Sequence, residues 1–82
     1  MNDVKQIKVL IDSIVKIQYF NDLVLKYKGK HLDLISGKYR VPATSLMGIF
    51  SLDVTKPLTL EYEERYEDFV QAHFKQFEVK EQ

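Results

Sequence analysis

Cysteine is missing from these 82 residues, so a disulfide framework, a thiolate zinc site and a cysteine nucleophile are all excluded. A surplus of either charge is missing too. Twelve Lys and Arg balance twelve Asp and Glu, and the sequence pI is 6.7. A general binder of phosphate backbones carries a basic excess, so no direct nucleic-acid role is expected. Long apolar runs are lacking as well: Asp3, Lys5, Lys8, Asp12 and Lys16 interrupt the first twenty residues, leaving no signal-peptide core and no membrane span. A cytoplasmic protein without a membrane partner is the expectation. A chain this short buries about two-thirds of the surface it exposes when unfolded, so residues 1–82 are expected to form a single domain of two packed layers. Separate cofactor and substrate domains have no room. P-loops, dinucleotide fingerprints and Ser/His/Asp constellations have no candidate residues, so neither an enzyme nor a cofactor is expected.

What is present is periodic. Ile7, Val9 and Ile11 alternate with Lys8 and Leu10, which predicts a strand over about residues 4–10 with one face buried. Asp12 and Ser13 are helix-capping residues, and Phe20, Leu23, Val24 and Tyr27 recur at helical spacing, predicting a helix over 13–28 stopped by Gly29. Leu32 and Leu34, then Tyr39 and Val41, alternate on either side of Ser36-Gly37 as a β-hairpin whose second arm Pro42 limits. Thr44 and Ser45 introduce a short helix over 45–51. Its Leu46, Met47, Ile49, Phe50 and Leu52 are more apolar surface than one helical stripe can hide. Leu58, Leu60 and Tyr62 alternate as a last strand after Pro57. Tyr66, Phe69, Val70, His73, Phe74 and Phe77 then mark an amphipathic helix over 64–78. The βαββαβα order predicts an α+β fold, an open-faced β-sandwich in which a four-stranded antiparallel sheet is covered on one face by helices. Charge is split along the chain: residues 1–56 sum to +4 and residues 57–82 to −4, which either orients a partner or draws the two halves together.

The segment Ser36-Gly37-Lys38, followed by Ser45-Leu46-Met47-Gly48-Ile49-Phe50-Ser51-Leu52, Thr55-Lys56, the strand 58–63 and a C-terminal amphipathic helix, resembles HPr. HPr is the small histidine-containing phosphocarrier of the bacterial sugar phosphotransferase system. The resemblance spans roughly residues 4–80 and implies the strand order 1-4-2-3. The family's other signature, Gly-x-His-x-Arg-Pro-Ala at the start of the first helix, is absent. Counting back from Lys28-Gly29 places Lys16 at the phosphocarrier histidine, Gln18 near the arginine and Tyr19 near the proline. A protonated lysine has no lone pair with which to attack phosphorus, and residues 1–30 contain no histidine. The resemblance therefore implies a relative in which Lys16 is a degenerate phosphocarrier position and the histidine relay is lost. Ser45 aligns with the serine that a dedicated kinase phosphorylates in some bacterial HPr proteins as a signal of carbon-source abundance. The resemblance also implies that Leu46, Met47 and Phe50 form a surface for protein partners: a serine kinase or phosphatase, a transcriptional regulator or a phosphotransferase-system component.

Plainer readings stand beside these. Ser45 is equally a helix N-cap, and Leu46, Met47 and Phe50 could all pack inside. His73 falls on an apolar stripe and reads as a core-edge histidine, while His31 lies at a strand start. Zinc held by His31 and His73 would need a third protein ligand that the spacing does not supply. Glu61, Glu63, Glu64, Glu67 and Asp68 read as solvated charges complementing a helix start rather than a metal site, so no metal is expected. Two functions remain open: a regulatory or adaptor module of the HPr type, and a diverged phosphocarrier or enzyme-like protein using another nucleophile, such as His31 or His73, on the same scaffold.

Overall fold

In the computed structural model, which describes residues 3–26 and 31–80, the alternation around Ile7 and Val9 becomes strand β1, Val4–Val9. Ser13 takes an extended backbone and its Oγ accepts from the Lys16 amide at 3.1 Å, capping helix α1, Ile14–Leu25. Strands β2, Leu32–Ser36, and β3, Tyr39–Pro42, form the hairpin. A short helix α2, Leu46–Phe50, strand β4, Leu58–Glu63, and helix α3, Glu67–His73, complete the chain. The four strands pair antiparallel in the order β1-β4-β2-β3, giving the open-faced α+β sandwich that the pattern predicts. Among the described residues no helix is long and apolar enough to cross a membrane.

The hairpin turn explains its own residues. Gly37 has φ +59° and Lys38 does not share the positive sign, the pattern of a type II′ turn, whose first central position favours glycine. Ser36 faces Tyr39 across this two-residue turn, so hydrogen-bonded pairs recur at Leu34 with Val41, and the Ala43 amide reaches the Leu32 carbonyl at 2.8 Å. Pro42 falls between these pairs, opposite Asp33, where an amide would only have pointed outward.

One face of the sheet is covered. Ile7, Val9, Leu32, Leu34, Leu58, Leu60 and Tyr62 pack against Ile17, Phe20, Leu23 and Val24 of α1, Ile49 of α2, and Val70 and Phe74 near α3. Asn21, buried in α1, donates through Nδ2 to the Ala43 carbonyl at 3.3 Å and so ties that helix to the approach to α2.

Two expected boundaries differ. Helix α1 ends at Leu25 with Lys26 as its cap, short of residue 28; the stop at Gly29 lies outside the described residues. The single helix over 64–78 is instead α3 with a 3₁₀ turn on each side, Glu64–Tyr66 and Lys75–Phe77. Tightening to three residues per turn places Phe74 and Phe77 on the same side, with ring centroids 5.0 and 5.5 Å from that of Phe20. It also returns the chain to the outer edge of β1: the Leu10 amide donates to Phe77 O and the Val79 amide to Lys8 O, both at 2.9 Å.

Candidate functional site

Helix α2 owes its position to a close approach. A Cβ on Gly48 would lie 3.1 Å from both the Val41 Cβ and the Ser45 Oγ, so glycine lets the helix settle against β3. Ser45 is the N-cap, its Oγ accepting from the Gly48 amide at 3.1 Å. Its side chain is half-buried and already committed to the backbone. With Ile49 fully buried and Leu52 nearly so, the rest of the apolar surface turns outward: Leu46 is 37% exposed, Met47 85% and Phe50 49%. The alternative in which all three pack inside is thereby excluded. Ile14, Val15, Tyr19 and Leu25 of α1 are exposed as well. The two helices thus carry seven of the nine large apolar side chains exposed among the described residues, which concentrates that surface on the helical side of the molecule.

Lys16 is the third residue of α1 and projects into solvent, its Nζ 3.1 Å from Asp12 Oδ1. The hydrogen bond from Lys16 draws the Asp12 carboxyl below its usual range. Tyr19 leans on Phe77, ring centroids 6.0 Å apart. Neither histidine belongs to this region of α1. His73 closes α3, half-buried with its ring 5.0 Å from Phe69, as a core-edge histidine would be. His31 stands just before β2, on the sheet face that no helix covers.

That face holds a constellation that one-dimensional spacing does not reveal. Asp33 pairs directly with Glu61 across β2 and β4, and Gln6 pairs with Glu61 from β1. His31 Nε2 lies 3.2 Å from Asp33 Oδ2 and 3.8 Å from Glu61 Oε2. Arg40 Nη1 donates to Asp33 Oδ2 at 2.9 Å and makes a short contact with Glu61 Oε2. Gln6 Nε2 donates to Glu61 Oε1 at 3.1 Å. The Arg40 hydrogen bond, with help from Gln6 and against burial, holds the Glu61 carboxyl below its usual range, and the two carboxylates push the Arg40 pKa upward. One ligand atom from each of His31, Asp33 and Glu61 falls within 4.8 Å of the others. The expectation of solvated, dipole-complementing acids is corrected for Glu61, which is buried in this network, while Glu64, Glu67 and Asp68 do stand in first helical turns and Glu64 and Asp68 are exposed. Glu67 likewise is engaged, by Lys5 Nζ at 2.8 Å, Gln71 at 3.0 Å and the Tyr62 hydroxyl. Glu63 pairs with Arg65 Nε at 2.7 Å.

Comparison with solved structures matches the crystal structure of HPr-C-His from Thermoanaerobacter tengcongensis at a TM-score of 0.68. The match covers 92% of this chain and 90% of that one at 18% sequence identity, a likeness of fold. No protein-family model and no curated protein sequence matches the chain.

Proposed function

We propose that this chain is a regulatory or adaptor protein of the HPr type, related to the bacterial sugar phosphotransferase system and without histidine phosphocarrier activity. It would act in the cytoplasm as a single domain, as no enzyme, by docking onto a protein partner. The observation that carries the reading is the exposed trio Leu46, Met47 and Phe50 on an HPr-like fold. An apolar surface on a short capped helix suits a transient contact better than a permanent one, because the buried area is small. The absence of any histidine from residues 1–30 supports the loss of the relay, as does the Lys16 ammonium being paired with Asp12 where the family's nucleophile would stand.

Phosphorylation of Ser45 is the proposed control. A phosphate would add a charge of about −2 beside Leu46 and Met47, repelling an acidic partner and pairing with a basic pocket. The partner is then a serine kinase or phosphatase, a transcriptional regulator or a phosphotransferase-system component. Pull-downs at native level with wild type, Ser45→Asp and Phe50→Asp test this. A partner captured by wild type, lost with Phe50→Asp and gained or lost with Ser45→Asp is the expected result. Identical captures by all three, with circular dichroism unchanged, would remove the docking surface and the switch together.

A further inference from the structure

The cluster on the uncovered sheet face is independent of the helical side and does something different. Two carboxylates directly opposite one another across strands repel, and Glu61 is only 8% exposed, so the pair is stable only with a cation between its oxygens. That position is filled by the protein's own Arg40, whose Nη1 meets Asp33 Oδ2 and Glu61 Oε2, the same two oxygens that His31 Nε2 faces. We infer that His31, Asp33 and Glu61 form a divalent transition-metal site, of the kind zinc, nickel or cobalt(II) enter, with Arg40 as an internal cation that the metal displaces.

Three features favour it. Strand register sets Asp33 of β2 directly opposite Glu61 of β4, and His31 stands one residue before β2 on the same face. The set is one imidazole and two carboxylates with open positions left for water, which selects zinc-like ions over magnesium or calcium, whose preference is for oxygen alone. Arg40 stands on the edge strand β3 with half of its side chain in solvent, so it can swing out and remain hydrated, while the metal takes over the charge of the two nearly buried carboxylates it leaves. Binding requires the His31 proton to sit on Nδ1, leaving the Nε2 lone pair free for the metal.

Isothermal titration of the full chain with zinc chloride, at neutral pH in a non-coordinating buffer, tests the site. Wild type is expected to bind one ion per chain, His73→Gln to behave as wild type and His31→Gln to lose the binding. Arg40→Gln removes the competing cation and should tighten binding by roughly tenfold or more. The same variant should show the larger zinc-induced rise in melting temperature, which separates a folding defect from a binding defect. Excess magnesium should not compete. No saturable zinc binding by wild type up to about 1 mM overturns the proposal, even if Arg40→Gln binds, because Arg40 would then be the permanent occupant. Binding that survives His31→Gln, or that magnesium displaces, overturns it equally.

Discussion

The Tyr62 hydroxyl donates to Glu67 at 3.1 Å, and Lys5 reaches the same carboxylate at 2.8 Å, so a few atoms join β1, β4 and α3. Burial first, and the neighbouring Glu67 carboxylate second, push the Tyr62 phenol up to about 12. A raised folded value means that the stability from the neutral phenol is complete below the ordinary tyrosine range near pH 10 and is lost as pH rises toward 12. The Lys5 hydrogen bond, in contrast, holds Glu67 below its usual range, so its contribution is present above about pH 4.3 and lost as pH falls through the lower folded value. Tyr62→Phe should cost about 1–3 kcal/mol at neutral pH, as expected for a hydrogen bond to a charged group, and should flatten the alkaline limb of a urea-midpoint profile. Glu67→Gln should flatten the acid limb below about pH 4.3 and also weaken the alkaline one in part, because the Glu67 carboxylate is one of the groups that raise Tyr62. An unchanged alkaline limb in Tyr62→Phe would assign it to other groups. At this scale the sequence reveals what is local: Ser13 and Ser45 cap helices because their bonding partners are three residues away. The meeting of His31, Asp33 and Glu61 was hidden, because Glu61 arrives only when β4 enters the sheet between β1 and β2.

Elements show the same division between near and far. The strands and α2 were readable because period-two alternation and a capping serine are contained in a few residues. The 3₁₀ turn after His73 was not, since an α-helical stripe and a tightened turn place Phe74 and Phe77 similarly until the ring of Phe20 and the edge of β1 set the end. Helix α2 illustrates how one element serves two environments. Its buried Ile49 anchors it and its glycine admits Val41, while Met47 touches little of the protein. Phe74→Ala should therefore destabilise by about 3–5 kcal/mol, a large part of the ~5–15 kcal/mol available to a small domain. Met47→Ala should stay within about 0.5 kcal/mol. Chemical denaturation measures both, and a cost for Met47→Ala near that for Phe74→Ala would mean that α2 is far better covered than its exposure indicates.

Across the whole molecule the +4 of residues 1–56 and the −4 of residues 57–82 meet at the sheet: Lys5 of β1 pairs with Glu67 of α3, and Arg40 of β3 with Glu61 of β4. The charge split thus draws one half onto the other, while seven of the nine exposed large apolar side chains among the described residues lie on α1 and α2. This division bears on the phosphorelay. The imidazoles sit on the uncovered face and at the end of α3, whereas residues 12–20, at the start of α1, offer neither histidine nor arginine. Lys16→His would supply an imidazole at the third helical position but no guanidinium to hold the phosphoryl group, and would strip Asp12 of its lysine. Incubation with the general phosphotransferase enzyme and labelled phosphoenolpyruvate should leave no acid-labile label on wild type, and Lys16→His should not restore efficient transfer. Label on wild type that His31→Gln or His73→Gln removes would replace the adaptor reading with a diverged carrier. Efficient labelling of Lys16→His alone would show that this scaffold needs only the nucleophile, and that the missing arginine and proline were never what silenced it.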